Sequence, residues 1–203
     1  SLLTDVEFRG DAKVVWNATF PNSKSLSSIT ERTLKIRFIY IGALSHWIDF
    51  DALYRVARFV DFFKGELVIV GQIEDSRICA LLAYDSVHFM GELSHDAAMD
   101  LLHSATAGLI PFSKSNLTLA VDPIKVYEYL EHGLLVLGSK FESYNPSIQS
   151  KVSKISFWRI STIFLYSYLK LTPALSLVFP ASVAKSSLPH LLPSSLISLT
   201  LEI

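Results

Sequence analysis

Residues 122–138 have the sequence DPIKVYEYLEHGLLVLG, and this stretch decides the fold. Asp122 is a favourable helix N-cap and Pro123 suits the first helical position, so a helix is predicted to begin here. Gly133 is expected to end that helix. The apolar run after Gly133 is typical of a strand that is buried in a parallel sheet. The stretch therefore predicts a capped helix that leads directly into the core of an α/β fold.

Lys125 and Glu128 are the candidate binding residues of this helix. They lie three residues apart, so they project from nearly the same side of its first two turns. Free backbone N–H groups at a helix start favour an anion, and a lysine there is unfavourable for the helix dipole unless an anion lies nearby. The pair therefore offers a cation to a phosphate and a carboxylate to sugar hydroxyls.

Apolar strands and helical patterns alternate from residue 35 to residue 139. The predicted strands are 37–42, 66–71, 87–90, 107–111 and 135–138, and the predicted helices are 51–64, 77–83, 94–105 and 123–132. This alternation predicts a doubly wound parallel sheet with right-handed crossovers. Ligands of such sheets bind beyond the carboxyl ends of the strands. The residues at or just after those ends are Gly42, Gly71, Gly91, Pro111 and Ser139.

This order of signals resembles the C-terminal, donor-binding Rossmann-like domain of GT-B glycosyltransferases of the family 4 kind, close to bacterial surface-polysaccharide and teichuronic-acid-type transferases. Three stretches carry the resemblance: IRFIYIGALSHWIDF at 36–50, VHFMG at 87–91, and 122–133. Many family members carry a second glutamate where this chain has Ala120. Members with a Pro-x-Lys-x-x-Glu helix start also lack that glutamate, so Ala120 indicates a resemblance to this subfamily in particular.

The resemblance implies roles for the two helix residues. Glu128 falls at the position of the acidic residue that binds the nucleotide ribose, and Lys125 is the candidate ligand of the diphosphate. An ordinary solvated helix surface is the alternative interpretation for both residues.

Four further residues complete the candidate nucleotide-sugar site. Gly42 allows the backbone to approach a phosphate, and His46 in the following loop is a candidate contact for sugar or diphosphate. Phe89 and Met90 belong to the strand and turn whose backbone usually meets the nucleobase in the family. The alternative interpretations are a turn glycine for Gly42, a structural histidine for His46, and simple strand termination for Phe89 and Met90. The segment 115–118 is expected to be a polar loop at the same edge.

No metal site and no cofactor is predicted. Cys79 is the single cysteine, and His95, His103 and His132 show no metal-ligand spacing. The chain also lacks the glycine-rich fingerprints of dinucleotide and P-loop sites. The nucleoside diphosphate sugar is therefore expected as a donor substrate, without a cofactor.

Charge and cysteine content narrow the class of protein. A formal net charge of -1 over 203 residues leaves no electrostatic footprint for nucleic acid. A single cysteine excludes an internal disulfide framework and fits a reducing compartment, so a cytoplasmic location is expected, with the inner face of the cell membrane as an open alternative. No secretory signal is recognised, and the missing start methionine indicates a fragment.

Three segments are predicted: an entry segment at 1–34 with a strand candidate at 13–18, a donor-binding domain at 35–154, and an irregular tail at 155–203. Serine and leucine dominate the tail, and no helical or alternating period continues after Pro173. We interpret the tail as a non-native or disordered terminus. A membrane helix and an interfacial segment are the alternatives.

The resemblance implies that the chain is the donor-binding portion of a glycosyltransferase that moves a sugar from a nucleoside diphosphate sugar to a glycan or lipid-linked acceptor. GT-B enzymes hold the acceptor largely on an N-terminal domain, which this chain is expected to lack, so the chain is expected to be inactive alone. Expected partners are the nucleotide-sugar, that domain and the acceptor, with peripheral membrane association left open and nucleic acid excluded. The alternatives are a nucleotide-sugar 2-epimerase fragment and a non-catalytic doubly wound nucleotide-binding or interaction module.

Overall fold

The computed structural model describes residues 17, 36–139 and 145–155. The strands are β1 (Arg37–Ile41), β2 (Glu66–Val70), β3 (Val87–Phe89), β4 (Ala107–Ile110), β5 (Leu135–Gly138) and β6 (Val152–Lys154). The helices are α1 (Phe50–Phe62), α2 (Ile78–Leu81), α3 (His95–Leu102), α4 (Asn116–Leu119), α5 (Ile124–Glu131) and α6 (Pro146–Gln149). The tail and most of the entry segment, including its strand candidate apart from Asn17, lie outside the described residues.

All six strands form one parallel sheet with the order β3-β2-β1-β4-β5-β6. The chain builds outward from β1 through β2 to β3, and then crosses to β4 on the other side of β1. This reversal places the topological switch point of the sheet between β1 and β4. The predicted doubly wound α/β fold is confirmed.

Apolar side chains on one face of the sheet form a core with α3, α5 and α6. Ile39 and Ile41 of β1 and Val68 and Val70 of β2 belong to it. On the helices, the core includes Leu102 of α3, Val126 and Tyr129 of α5, and Ile148 of α6. Each fully buried Leu, Ile or Val contributes about 1.5 to 3 kcal/mol relative to an exposed side chain, so this core fixes α5 on the sheet.

The prediction of Asp122 as the N-cap of α5 is wrong by one residue. Pro123 is the N-cap, in an extended conformation, and no side chain caps the helix. The Asp122 carboxylate has other partners, because its Oδ2 accepts hydrogen bonds from the Tyr127 hydroxyl at 2.8 Å and from the Asn17 backbone N–H at 3.0 Å. Within the described residues, no side chain caps the first turn of α5.

Candidate functional site

The loops after β1, β2 and β3 meet at the carboxyl edge of the sheet. The Gly42 N–H donates to the Val70 carbonyl at 2.9 Å, and the Gly71 N–H donates to the Gly91 carbonyl at 2.8 Å. Gly71 has a φ of 139°, and a Cβ there would lie 2.1 Å from the Gly42 carbonyl oxygen. Only glycine fits at this position, and it lets two loop backbones touch.

A cleft of about 370 Å³ opens at this edge. It is lined by Ile41, Gly42, Ala43, Val70, Gly71, Gln72, Glu92, Leu93, His95, Ala98 and Lys125. These residues come from the ends of β1 and β2, the loop after β3, and the first turns of α3 and α5. The cleft therefore lies where the topology of a doubly wound sheet places a ligand.

Lys125 and Glu128 form an ion pair in the first two turns of α5. Lys125 Nζ lies 2.6 Å from Glu128 Oε2, and the two side chains are 24 % and 10 % exposed. Despite this short contact, no donor is aligned on Oε2 as a hydrogen bond within the described residues. The lysine ammonium therefore neutralises the charge of the carboxylate, and the carboxylate can still accept further hydrogen bonds. A buried carboxylate of this kind suits a ligand that brings hydroxyl donors.

The structure brings three of the six candidate residues together. Gly42 and Lys125 line the cleft, and Glu128 joins them through its pair with Lys125.

The other three candidate residues, like Glu128, do not themselves line the cleft. His46 is exposed in the loop between β1 and α1, with its ring 4.9 Å from the Trp47 ring and its Nδ1 3.2 Å from Ser45 Oγ. Phe89 ends β3 and is half-buried, and Met90 after it is 47 % exposed.

Two polar residues of the cleft are absent from the sequence-predicted site. Gln72 follows the glycine at the end of β2, and His95 is the first residue of α3. Gln72 is the second residue after β2, and His95 opens the helix that follows β3, so their places near the carboxyl ends of these strands were the signal that could have identified them. Glu92, in the loop after β3, also lines the cleft.

Two buried tyrosines, Tyr40 and Tyr129, form hydrogen bonds to the backbone near this edge of the sheet. The Tyr129 hydroxyl accepts a hydrogen bond from the Ile41 N–H at 3.1 Å, and the Tyr40 hydroxyl donates to the Ala43 carbonyl at 2.8 Å. Burial raises the pKa of both tyrosines well above the usual value, and the Glu74 carboxylate adds to the effect at Tyr40. Both hydroxyls therefore remain neutral at physiological pH.

The segment after β4 differs from the predicted open loop. Residues 116–119 form the short helix α4, and Ser115 caps it through reciprocal bonds with Thr118. Thr118 is buried, so this segment is more ordered than a solvent-exposed polar loop.

The described residues hold no group of three or more His, Cys, Asp or Glu side chains that could bind a metal ion. Over the same part of the chain, no helix has the length and hydropathy needed to cross a membrane.

No protein-family model and no curated protein matches the sequence. Solved structures do. The chain is similar to AviGT4, a glycosyltransferase involved in avilamycin A biosynthesis, with 21% identity and a TM-score of 0.50 over 64% of this chain and 40% of that one. It is also similar to a mutant of S. aureus TarM in complex with fondaparinux, α-GlcNAc-glycerol and UDP, with 13% identity and a TM-score of 0.57 over 91% of this chain and 37% of that one.

The fold is shared with these proteins. The structural neighbours are GT-B glycosyltransferases, and the Rossmann-like parallel sheet agrees with them. The chain spans only 40% and 37% of the lengths of the two proteins. At such identities the likeness shows the fold, and assignment to family 4 or to teichuronic-acid-type transferases stays a prediction.

Proposed function

We propose that this chain is the donor-binding part of a glycosyltransferase that moves a sugar from a nucleoside diphosphate sugar to a glycan or lipid-linked acceptor. One observation carries the proposal. Lys125 and the buried Glu128 share the first two turns of α5, beside a cleft at the carboxyl edge of the sheet.

Glu128 suits the ribose of the nucleotide. Its carboxylate is nine-tenths buried, and it lacks an aligned hydrogen-bond donor on Oε2 within the described residues. Two adjacent ribose hydroxyls would donate to the two carboxylate oxygens. Such charge-assisted hydrogen bonds are stronger than neutral ones.

Lys125 suits the diphosphate. Lys125 lines the cleft together with Gly42, whose missing side chain leaves room for backbone to approach a phosphate. The uncapped N–H groups at the start of α5 add a partial positive charge at the same end. A bound diphosphate would draw Nζ away from Glu128, and ribose hydroxyls would then replace the ammonium at the carboxylate.

The same groups would serve the transfer step. As the bond between the sugar carbon and the diphosphate oxygen breaks, its electron pair stays on the diphosphate. The acceptor hydroxyl oxygen forms the new bond to the sugar carbon and loses its proton to a base. Lys125 and the N-terminus of α5 would stabilise the charge that grows on the leaving diphosphate, which lowers the barrier if they bind it more tightly in the transition state.

The comparisons support the proposal at the level of fold. AviGT4 is a glycosyltransferase, and the TarM structure contains UDP. Because this chain spans 40% and 37% of those proteins, we propose that the acceptor and the base are held by a further domain. The proposal also includes a cytoplasmic location, peripheral association with the inner face of the cell membrane, and a role in polysaccharide synthesis.

Isothermal titration calorimetry with UDP, GDP and TDP tests the proposal. We expect at least one of the three to bind the wild-type chain, and Glu128→Gln to weaken that binding. Glu131→Gln is the matched control, because Glu131 is a glutamate at the last position of the same helix, at the opposite end from Lys125. A folded chain that binds none of the three nucleotides would favour the non-catalytic module.

A further inference from the structure

β1 and β4 separate before they reach the carboxyl edge of the sheet. Their paired residues are Phe38 with Ala107 and Ile39 with Gly108. β1 nevertheless continues to Ile41 and β4 to Ile110, and β4 stays paired with β5 along its whole length. The sheet therefore opens between β1 and β4 at the switch point.

The Tyr129 side chain bridges this opening. Successive N–H groups of a strand point to opposite sides, and the Gly42 N–H is bonded to β2. The Ile41 N–H therefore points toward β4, where the strands have parted, and the Tyr129 hydroxyl accepts its hydrogen bond at 3.1 Å. Tyr129 is fully buried, and its ring lies so close to β4 that a Cβ on Gly108 would be 2.2 Å from it.

This hydrogen bond joins the two segments that the proposed site uses. Ile41 directly precedes Gly42, and Tyr129 directly follows Glu128 and lies one turn after Lys125 on α5. Without the hydroxyl, the Ile41 N–H would be a buried donor with no acceptor. A small shift of α5 or of the end of β1 that hydrates this donor would then be favoured.

We infer that Tyr129 is a positioning residue that sets the distance between the Gly42 backbone and the Lys125–Glu128 pair. The inference rests on the proposed function, because both segments must face one nucleotide. A diphosphate that is held by both segments is sensitive to their separation, because its oxygens must lie within hydrogen-bond distance of donors on each of them. A nucleoside held by Glu128 alone is much less sensitive.

The experiment compares wild type, Tyr129→Phe and Tyr54→Phe by calorimetry with UDP and uridine, and with GDP and guanosine. Tyr54→Phe is the matched control, because the Tyr54 hydroxyl donates to the Arg77 carbonyl and neither residue lines the cleft. Binding is measured well below the melting transition of each variant. There a loss of global stability alone does not change the affinity.

We expect Tyr129→Phe to weaken diphosphate binding about tenfold, corresponding to about 1.4 kcal/mol, with a smaller loss for the nucleoside and no change in Tyr54→Phe. Equal diphosphate affinity in wild type and Tyr129→Phe would overturn the inference and leave the proposed function standing. Equal losses for diphosphate and nucleoside would also overturn it. A folded wild type that binds none of these nucleotides would overturn the proposed function and this inference together.

Discussion

Lys125 Nζ lies 2.6 Å from Oε2 of Glu128, a side chain that is only 10 % exposed. The pair links the first and second turns of α5, beside the cleft. Each partner therefore has a structural role without ligand and, in our proposal, a binding role with it. Substitutions that keep size but remove charge can separate these roles.

Lys125→Met should destabilise the protein and weaken diphosphate binding. Removing the ammonium leaves the buried Glu128 carboxylate without its counter-charge, which typically costs a few kcal/mol; for a lysine that is 24 % exposed we expect about 1 to 3 kcal/mol. Urea denaturation measures the loss. Lys151→Met is the control, since Lys151 is exposed and lies outside the cleft lining. An unchanged midpoint in Lys125→Met would show that the ion pair contributes nothing to stability.

Gly108→Ala should destabilise the fold by about 1 to 3 kcal/mol, because the new methyl group would meet the Tyr129 ring. Thermal or urea denaturation measures the change. The double variant, which combines Gly108→Ala with Tyr129→Leu, also removes the ring. If the clash is the cause, the double variant loses less stability than the sum of the two single variants. Simple additivity would contradict this packing.

The strands β1 to β5 and the edge that holds the cleft could be predicted from sequence, because each of these strands is short, mostly apolar and followed within two residues by Gly, Pro or Ser. β6 could not, because Val152-Ser153-Lys154 is a short edge strand without such a run. The helix α4 is a single capped turn, too short for a helical period. The bond between Ile41 and Tyr129 spans 88 residues, and only the tertiary fold brings the two together.

Alkaline pH should destabilise the protein through its buried tyrosines. Burial first, and Glu74 second for Tyr40, raise the pKa of Tyr40 and Tyr129 above the ordinary value of 10.0. Their contribution is fully present below about pH 10 and is lost as the pH rises above it, by up to about 1.4 kcal/mol per pH unit for each tyrosine. Urea denaturation between pH 8 and pH 11 should show this fall. The fall should be shallower in Tyr129→Phe, and an identical slope would contradict the assignment.

Asp75 should titrate at unusually low pH. Hydrogen bonds from the Arg77 side chain and backbone lower the pKa of Asp75 to about 2. The carboxylate form is thus favoured in the folded protein, and its small contribution to stability is lost as the pH falls below about 4. NMR titration of the Asp75 carboxyl carbon measures the midpoint. Arg77→Gln should raise it toward the ordinary value, and an unmoved midpoint would rule out the Arg77 side chain as the cause.

The most direct measurement is calorimetric titration of the folded chain with UDP, GDP and TDP, run in parallel on Glu128→Gln and Glu131→Gln. The account predicts that the wild type binds at least one nucleotide, that Glu128→Gln weakens binding by about 1 to 3 kcal/mol through lost charge-assisted hydrogen bonds to ribose, and that Glu131→Gln does not. Equal affinity in all three proteins would remove Glu128 from the site. No binding by any of them would contradict the proposed donor-binding function.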